Sequence, residues 1–280
     1  MNQVQVGSRL QYLVQSPTIF LLNISVAQND HQSTSQESIE IEPFHKLEEC
    51  AVGPLGNRLV RINAMPGDLM IQYLATVQLH ASEVDSANVT ETEYEDLPAD
   101  ALAYLNPSRY CESDKLFRFA GEEFGSLLPG YSRVTAICNW TFEHLTYTPG
   151  STGPTTTACD VLLQRTGVCR DYAHVAISMC RAMGIPARYV SGYAVNLQPP
   201  DFHGFFEAYL NGRWYLFDAT RLAPVGGFVR IGTGRDAADV AFATIRGDAQ
   251  STNLEVWAVE MQPDDRLLDP DNVHTAVSSA

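Results

Sequence analysis

Residues 201–220 read DFHGFFEAYLNGRWYLFDAT. Asn211-Gly212 stands between two apolar, aromatic-rich runs. Asn-Gly in that setting is the strongest short hairpin signal, because a two-residue turn needs positive φ at both positions. With the loop there, Leu210 faces Arg213, Phe205 faces Asp218 and His203 faces Thr220. A four-residue loop over 210–213 keeps this register; a three-residue loop shifts it by one. Residues two apart share a strand face. His203 and Asp218 are therefore diagonal neighbours on one face, ~7 Å apart at the backbone and within side-chain reach. Phe205, Phe206, Trp214, Leu216 and Phe217 make both faces apolar, unlike a solvated sheet surface. A histidine and a carboxylate in such surroundings suit a general base with an orienting acid.

The third member lies upstream, in GVCRDYAH (167–174). Val168, Tyr172, Val175, Ala176, Met179 and Met183 form a broad apolar face, which predicts a helix over 169–183. Gly184 and Pro186 stop it. Cys169 thus opens a helix, where unpaired amides carry partial positive charge and favour the reactive thiolate. A small buried core residue is the competing role. With Cys169 added, the expectation is a Cys169–His203–Asp218 triad. Cys169 attacks a carbonyl carbon, His203 passes a proton to the leaving amine, and Asp218 fixes the imidazole. The Cys169 amide supplies one oxyanion donor. Tyr147 or Trp140 is the candidate for the second, against ordinary packing roles.

Around this core the chain has two textures. Residues 1–82 read as strands: SRLQYLV, PTIFLLNISVA, ESIEIEP, NRLVRIN, and a stretch at 69–79 with Leu69, Ile71, Tyr73, Ala75, Val77 and Leu79 on one face. Gly53-Pro54 and Pro66-Gly67 mark turns. Residues 83–100 carry seven acidic side chains and no Lys or Arg, which reads as a solvated connector. From 107 onward helices dominate and strands follow: an opening at Pro107-Ser108, helices over 131–146 and 158–165, and a loop over 146–157. The expected fold class is α+β. An amino-terminal antiparallel β-sandwich-like domain (1–100) precedes a catalytic domain (101–280) of helices packed on an antiparallel sheet. The tail after 262 reads as acidic and frayed.

The chain has 280 residues, 45% hydrophobic and 18% charged, a globular composition. Acidic residues number 33 and basic residues 18, for a net charge of −15. That excludes sequence-independent nucleic-acid binding and docking to an anionic membrane, both of which need a basic face. Lys46 and Lys115 are the only lysines. The apolar stretch at 18–27 is too short to span a bilayer. It follows a single basic residue, Arg9, and no cleavage site follows it, so no signal peptide is expected. The six cysteines show no CxxC spacing, so reduced thiols in a cytoplasmic protein are expected, without a disulfide framework, metal or cofactor.

GVCRDYAH, the run GIPARYVSGY (184–193), DFHGFFEAYL and RWYLFDAT together resemble the bacterial transglutaminase-like family, which shares its core with transglutaminases and, more distantly, papain-type peptidases. The resemblance is strong over about 130–250, and GRDAADVAF (234–242) resembles a further stretch of the subgroup. It implies a transglutaminase-like/papain-like core behind a β-rich domain, with the family's catalytic roles on Cys169, His203 and Asp218. Two departures stand out. Many members have His-Ala-Trp where this chain has His203-Gly204-Phe205, and Asp-Pro-Thr where it has Asp218-Ala219-Thr220. Neither removes a catalytic atom; the first alters the pocket wall.

The expected function is cysteine-dependent acyl transfer on amide bonds of a peptide or protein substrate. Hydrolysis by a peptidase or amidase is the first reading, and transfer to an amine by a transglutaminase or amide synthase is the alternative. A non-catalytic binding module that kept the fold is the reading of a different class. Thiol labelling separates enzyme from module. Nothing in the sequence sets the oligomeric state. Among other candidates, His174 points away from the Cys169 face and reads as packing. Cys159, Cys169, His174 and Cys180 fail as a metal set on spacing. Arg170 and Asp171 either line the site mouth or decorate the helix. Asp201 and Glu207 are candidate substrate contacts for which solvated or structural roles lead. Asp236 reads as a helix cap, and Arg235 as a substrate-carboxylate ligand or a partner of Asp239. Asp264, Asp265, Asp269 and Asp271 lack the closing Glu of a calcium loop.

Overall fold

The architecture comes from a computed structural model that describes residues 2–262 and 274–280. The amino-terminal strands are β1 (Asn2–Val14), β2 (Thr18–Leu22), β3 (Gln32–Glu42), β4 (Leu47–Val52), β5 (Asn57–Ala64), β6 (Gly67–Leu79) and β7 (Ser82–Asp85). The period-2 pattern of β6 is met: Leu69, Ile71, Tyr73, Ala75, Val77 and Leu79 are all buried. They meet Val4, Val6 and Leu10 of β1, Phe20 and Leu22 of β2, and Val60 and Ile62 of β5 in one sandwich core.

Then come α1 (Ser113–Phe124), α2 (Tyr131–His144), β8 (Thr146–Tyr147), α3 (Ala158–Gln164), β9 (Thr166–Gly167) and α4 (Cys169–Ala182). After these come β10 (Ala187–Ala194), β11 (His203–Leu210), β12 (Arg213–Phe217) and β13 (Phe228–Gly234), joined as an antiparallel sheet in the order β12-β11-β10-β13. The predicted hairpin register holds, with Phe206 opposite Phe217 and Leu210 opposite Arg213. Helix α4 is central. It lies against α1, α2, α3 and β11, and every residue from Asp171 to Ala182 is buried. Gly184 ends it with φ +81°, a left-handed turn that a side chain would strain.

Three expectations change. Helix α1 begins at Ser113, beyond Pro107-Ser108, because residues 106–111 are held as a turn: Ser108 N–H donates to the Cys111 carbonyl, and Arg181 of α4 donates to Asn106 O and Ser108 Oγ. The division at residue 100 also fails for the carboxyl-terminal part. Strands β14 (Ala243–Arg246) and β15 (Ala249–Glu260) return to the sandwich, completing sheets of order β14-β2-β5-β4 and β15-β1-β6-β3. Strand β15 pairs along β1 from Val4↔Glu260 to Val14↔Ala249. The reason is edge satisfaction: without β15, one side of β1 would present a row of unpaired amides and carbonyls. Finally, β16 (Thr275–Ser278) is not frayed but pairs antiparallel with β7, burying Ala276 and Val277. The acidic tail residues Asp264, Asp265, Asp269 and Asp271 lie outside the described residues.

The two lobes share core. Tyr193, Val229 and Ile231 of the second sheet pack into the sandwich cluster, and the Tyr193 hydroxyl donates to the Ile24 carbonyl at 2.7 Å. Gln32 and Asn57 donate to the carbonyls of Arg230 and Thr233, each at 2.8 Å.

Candidate active site

Cys169 is the first residue of α4, partly exposed, at the end where helix amides lack intrahelical partners. A small parallel pairing fixes what lies beside it. Thr146 opposes Thr166 and Tyr147 opposes Gly167. This brings Tyr147 near Cys169, whose backbone and thiol both act on the phenol. The loop after β8 is tied to the same helix end. Asp171, almost fully buried, accepts from Val168 N–H at 2.9 Å and from Thr152 Oγ1 at 2.6 Å. Arg170 bonds Asp171 at 2.8 Å and Gly153 O at 3.0 Å. Arg170 and Asp171 therefore clamp the loop to the nucleophile's helix.

His203, the first residue of β11, is buried beside Phe205 and Phe228. Its Nε2 lies 2.8 Å from Asp218 Oδ2, the contact that the hairpin parity predicts. Cys169 also acts on the ring, favouring its charged form. Burial opposes the charged imidazolium. The Asp218 carboxylate and Cys169 more than offset that, and the ring is held up to about 10. The surroundings of His203 thus favour its charged form. Burial instead pushes Cys111 and Cys159 up to about 12, and also raises Cys138 and Cys180, so these remain thiols.

Sequence reasoning missed the residue that sets Asp218. Thr220 donates to Asp218 Oδ1 twice, from its backbone N–H at 2.8 Å and from its Oγ1 at 2.7 Å, which leaves Oδ2 for His203. The signal was present as Asp-x-Thr, a pattern in which a short side chain caps its own turn. Replacing Thr220 with valine keeps the shape and the backbone bond but removes the hydroxyl. The expected result is roughly a tenfold loss of kcat/KM, from one charge-assisted hydrogen bond. Thr220→Ser should restore most of it, as steady-state rates of the pair would show.

The remaining candidates separate clearly. Trp140 is not at the site. It stacks on His144 with ring centroids 4.0 Å apart and meets Phe119 of α1 edge-on at 5.2 Å, because its position on α2 faces α1. Arg235 pairs with Asp239, its Nε 3.1 Å from Oδ2, as one of its two expected roles has it. Asp236 caps no helix; its carboxylate accepts from Tyr110 N–H and Ala238 N–H in a turn. His174 is core, sandwiched by Tyr110 and Tyr189 and pushed down to about 3 by burial. Glu207 is fully buried and bonded to Arg188 and Arg230. A Cβ on Gly204 would sit 2.4 Å from the Tyr189 hydroxyl, so the Tyr189 ring fills the place that the methyl of a His-Ala-Trp run would occupy. Among the described residues no group of His, Cys, Asp or Glu is arranged to hold a metal ion.

Comparison with known proteins accords with this geometry. A protein from Cytophaga hutchinsonii whose crystal structure describes it as a candidate cysteine protease is 42% identical, superposes with a TM-score of 0.94, and covers 99% of this chain and 97% of its own. The uncharacterized protein ML0607 of Mycobacterium leprae is 29% identical over 204 residues, 68% of this chain and 72% of that protein. Rv2569c of Mycobacterium tuberculosis, also uncharacterized, is 29% identical over 185 residues, which span 57% of its length. Residues 119–219 match the transglutaminase-like superfamily core and residues 2–97 match the bacterial transglutaminase N-terminal domain. With that fold, those two matches in order and that relative along nearly its whole length, the chain belongs to the bacterial branch of the transglutaminase-like superfamily.

Proposed function

We propose that the protein is a cysteine-dependent acyl-transfer enzyme that hydrolyses amide bonds of a peptide or protein substrate. The observation that carries this reading is the His203 Nε2–Asp218 Oδ2 hydrogen bond at 2.8 Å, with Cys169 at the start of α4 acting electrostatically on the same ring. The Cys169 thiolate attacks the carbonyl carbon and forms a tetrahedral oxyanion. Collapse of that oxyanion expels the amine, which takes a proton from His203, and leaves a thioester on Cys169. Water, deprotonated by His203, then attacks the thioester, and collapse releases the acid and returns the Cys169 thiolate beside a protonated His203. The Cys169 amide at the helix end and the nearby Tyr147 hydroxyl are the two donors for the oxyanion. Asp218, oriented by Thr220, keeps His203 cationic between turnovers. Transfer to an amine uses the same first half and differs only in what attacks the thioester. The six cysteines, all free, support a reducing compartment such as the cytoplasm.

The test is product identity. Wild type and Cys169→Ala are incubated with a quenched peptide library, with and without a primary amine, and products are read by mass spectrometry. Cleavage by wild type alone supports hydrolysis. Amine-coupled products from wild type alone move the reaction to amide synthesis. Identical products from both proteins sink the reading.

The pH profile follows from His203. Its imidazolium supplies the proton for the leaving amine, so acylation holds as pH rises and falls only as that proton is lost, near the value of about 10 at which the ring is held. In Asp218→Asn the carboxylate that opposes the burial penalty is gone. The alkaline limb of kcat/KM should therefore move to lower pH, towards or below the ordinary histidine range.

A further inference from the structure

Resting on the acyl-transfer reading, we infer that Arg221 is a positioning residue for Asp218: it ties the turn that bears the acid to helix α2 and so holds the carboxylate on His203. Arg221 follows Thr220, inside a turn that the Asp218 side chain closes. Thr220 Oγ1 donates to Asp218 Oδ1 at 2.7 Å and accepts from Leu222 N–H at 3.2 Å, so these bonds bracket Arg221. Its φ is +55°, in the left-handed region, where a long side chain is strained and Gly is not. The side chain offsets that strain through two contacts. Nη2 donates to Asn139 Oδ1 at 2.7 Å, and the guanidinium lies over the Phe142 ring, 4.4 Å from its centroid. Both partners belong to α2.

Helix α2 holds the chain on both sides of Asp218. Just before the acid, Phe217 packs on Tyr131 with ring centroids 4.6 Å apart. Just after it, Arg221 reaches Asn139 and Phe142. Tyr131 and Phe142 stand about three turns apart, ~16 Å along one line of the helix, and that line runs beside residues 217–221. The Phe217 contact is apolar and leaves the turn free to rock. The guanidinium adds what an apolar contact lacks: a directed hydrogen bond, and a planar group stacked on a ring. Asp218 depends on orientation, because its two oxygens have separate tasks. Oδ1 takes both Thr220 bonds, and Oδ2 lies 2.8 Å from His203 Nε2. A rocking turn would carry Oδ2 out of line with the ring, and a hydrogen bond weakens steeply as its angle closes. The buried ring would then lose the partner that supports its charged form.

Alkylation by iodoacetamide tests this without the natural substrate. The intact protein is labelled at pH ~6, where an ordinary thiol reacts slowly, and rates are read at the Cys169 peptide by mass spectrometry. In the acyl-transfer reading a charged His203 promotes the reactive thiolate, so Asp218→Asn should slow labelling. Arg221→Gly removes the tether and the backbone strain together, which separates position from fold. It should slow labelling roughly three- to tenfold with little change in thermal midpoint. Arg221→Lys keeps a cationic donor and should restore part of the rate. Asn139→Ala cuts the same bond from α2 without touching the turn, and should slow labelling in the same direction. In the Asp218→Asn background Arg221→Gly should add nothing, because the carboxylate it positions is gone. An unchanged rate in Arg221→Gly, or an equal further loss in the Asp218→Asn background, overturns the inference and leaves the acyl-transfer reading in place. If Arg221→Gly does not fold, an unchanged rate in Asn139→Ala overturns it. Labelling of wild-type Cys169 no faster than of Cys50 overturns the acyl-transfer reading, and the inference with it.

Discussion

Cys169→Ala is expected to abolish acyl transfer, with a loss of at least ~10³-fold in kcat, while the protein stays folded. The sulfur is the atom to which the acyl group is joined, and no neighbour can replace it. The Tyr147 hydroxyl, near Cys169, is held in its un-ionised form chiefly by burial and then by the nearby sulfur. The side chain removed is small and partly exposed, and Ala is acceptable at a helix start, so the thermal midpoint should move by no more than a few degrees. His203→Ala should cost about as much, and the double variant little more, because the two residues act as one unit. Full additivity of the two losses, measured as kcat, would mean that they do not work together.

The largest effect on stability is expected at a residue with no part in the chemistry. Glu207 is fully buried on β11, the strand that carries His203. Arg188 Nε donates to its Oε2 at 2.7 Å and Arg230 Nη1 to the same oxygen at 3.0 Å, while Arg188 also stacks over Trp214. Burial works against the charged carboxylate, yet the two arginines hold it down to about 2. In Glu207→Gln both guanidinium groups remain in the interior without a counter-charge. The expected cost is ~3–5 kcal/mol, or a fall in thermal midpoint of roughly 10 °C, read by calorimetry. The pH sense follows from the lowered carboxyl. Its contribution is complete above the ordinary carboxylate range and is lost progressively as pH falls from that range through about 2.

How much was legible in the sequence can be judged from particular residues. The His203–Asp218 contact was readable because a two-residue turn fixes strand register, and register fixes the face. The buried face of β6 was readable from alternation alone. What could not be read were contacts between residues far apart in the chain with no periodic signature. Nothing in 249–260 tells that it pairs with β1, since Val256 is its one fully buried hydrophobic and its partner is chosen by an open edge. Trp140 illustrates the opposite difficulty. It stands seven residues before Tyr147, in the stretch leading to the site, but a helical side chain's direction depends on which neighbour its face meets, here α1. Arg235 was ambiguous because Asp239, four residues on, and a substrate carboxylate offer the same chemistry.

The return of β15 to the side of β1 has a consequence for how the chain is made. During synthesis β1 emerges first, and its partner β6 is complete by residue 79, yet its other edge stays bare until Glu260 has left the ribosome. The sandwich, whose cluster also takes in Val229 and Ile231, cannot close before then. Folding on the ribosome is therefore deferred nearly to the last strand, and a nascent chain carrying all of Cys169, His203 and Asp218 still lacks its finished scaffold. A chain arrested after residue 240 should be open to protease along β1, whereas one arrested well past residue 260 should be protected.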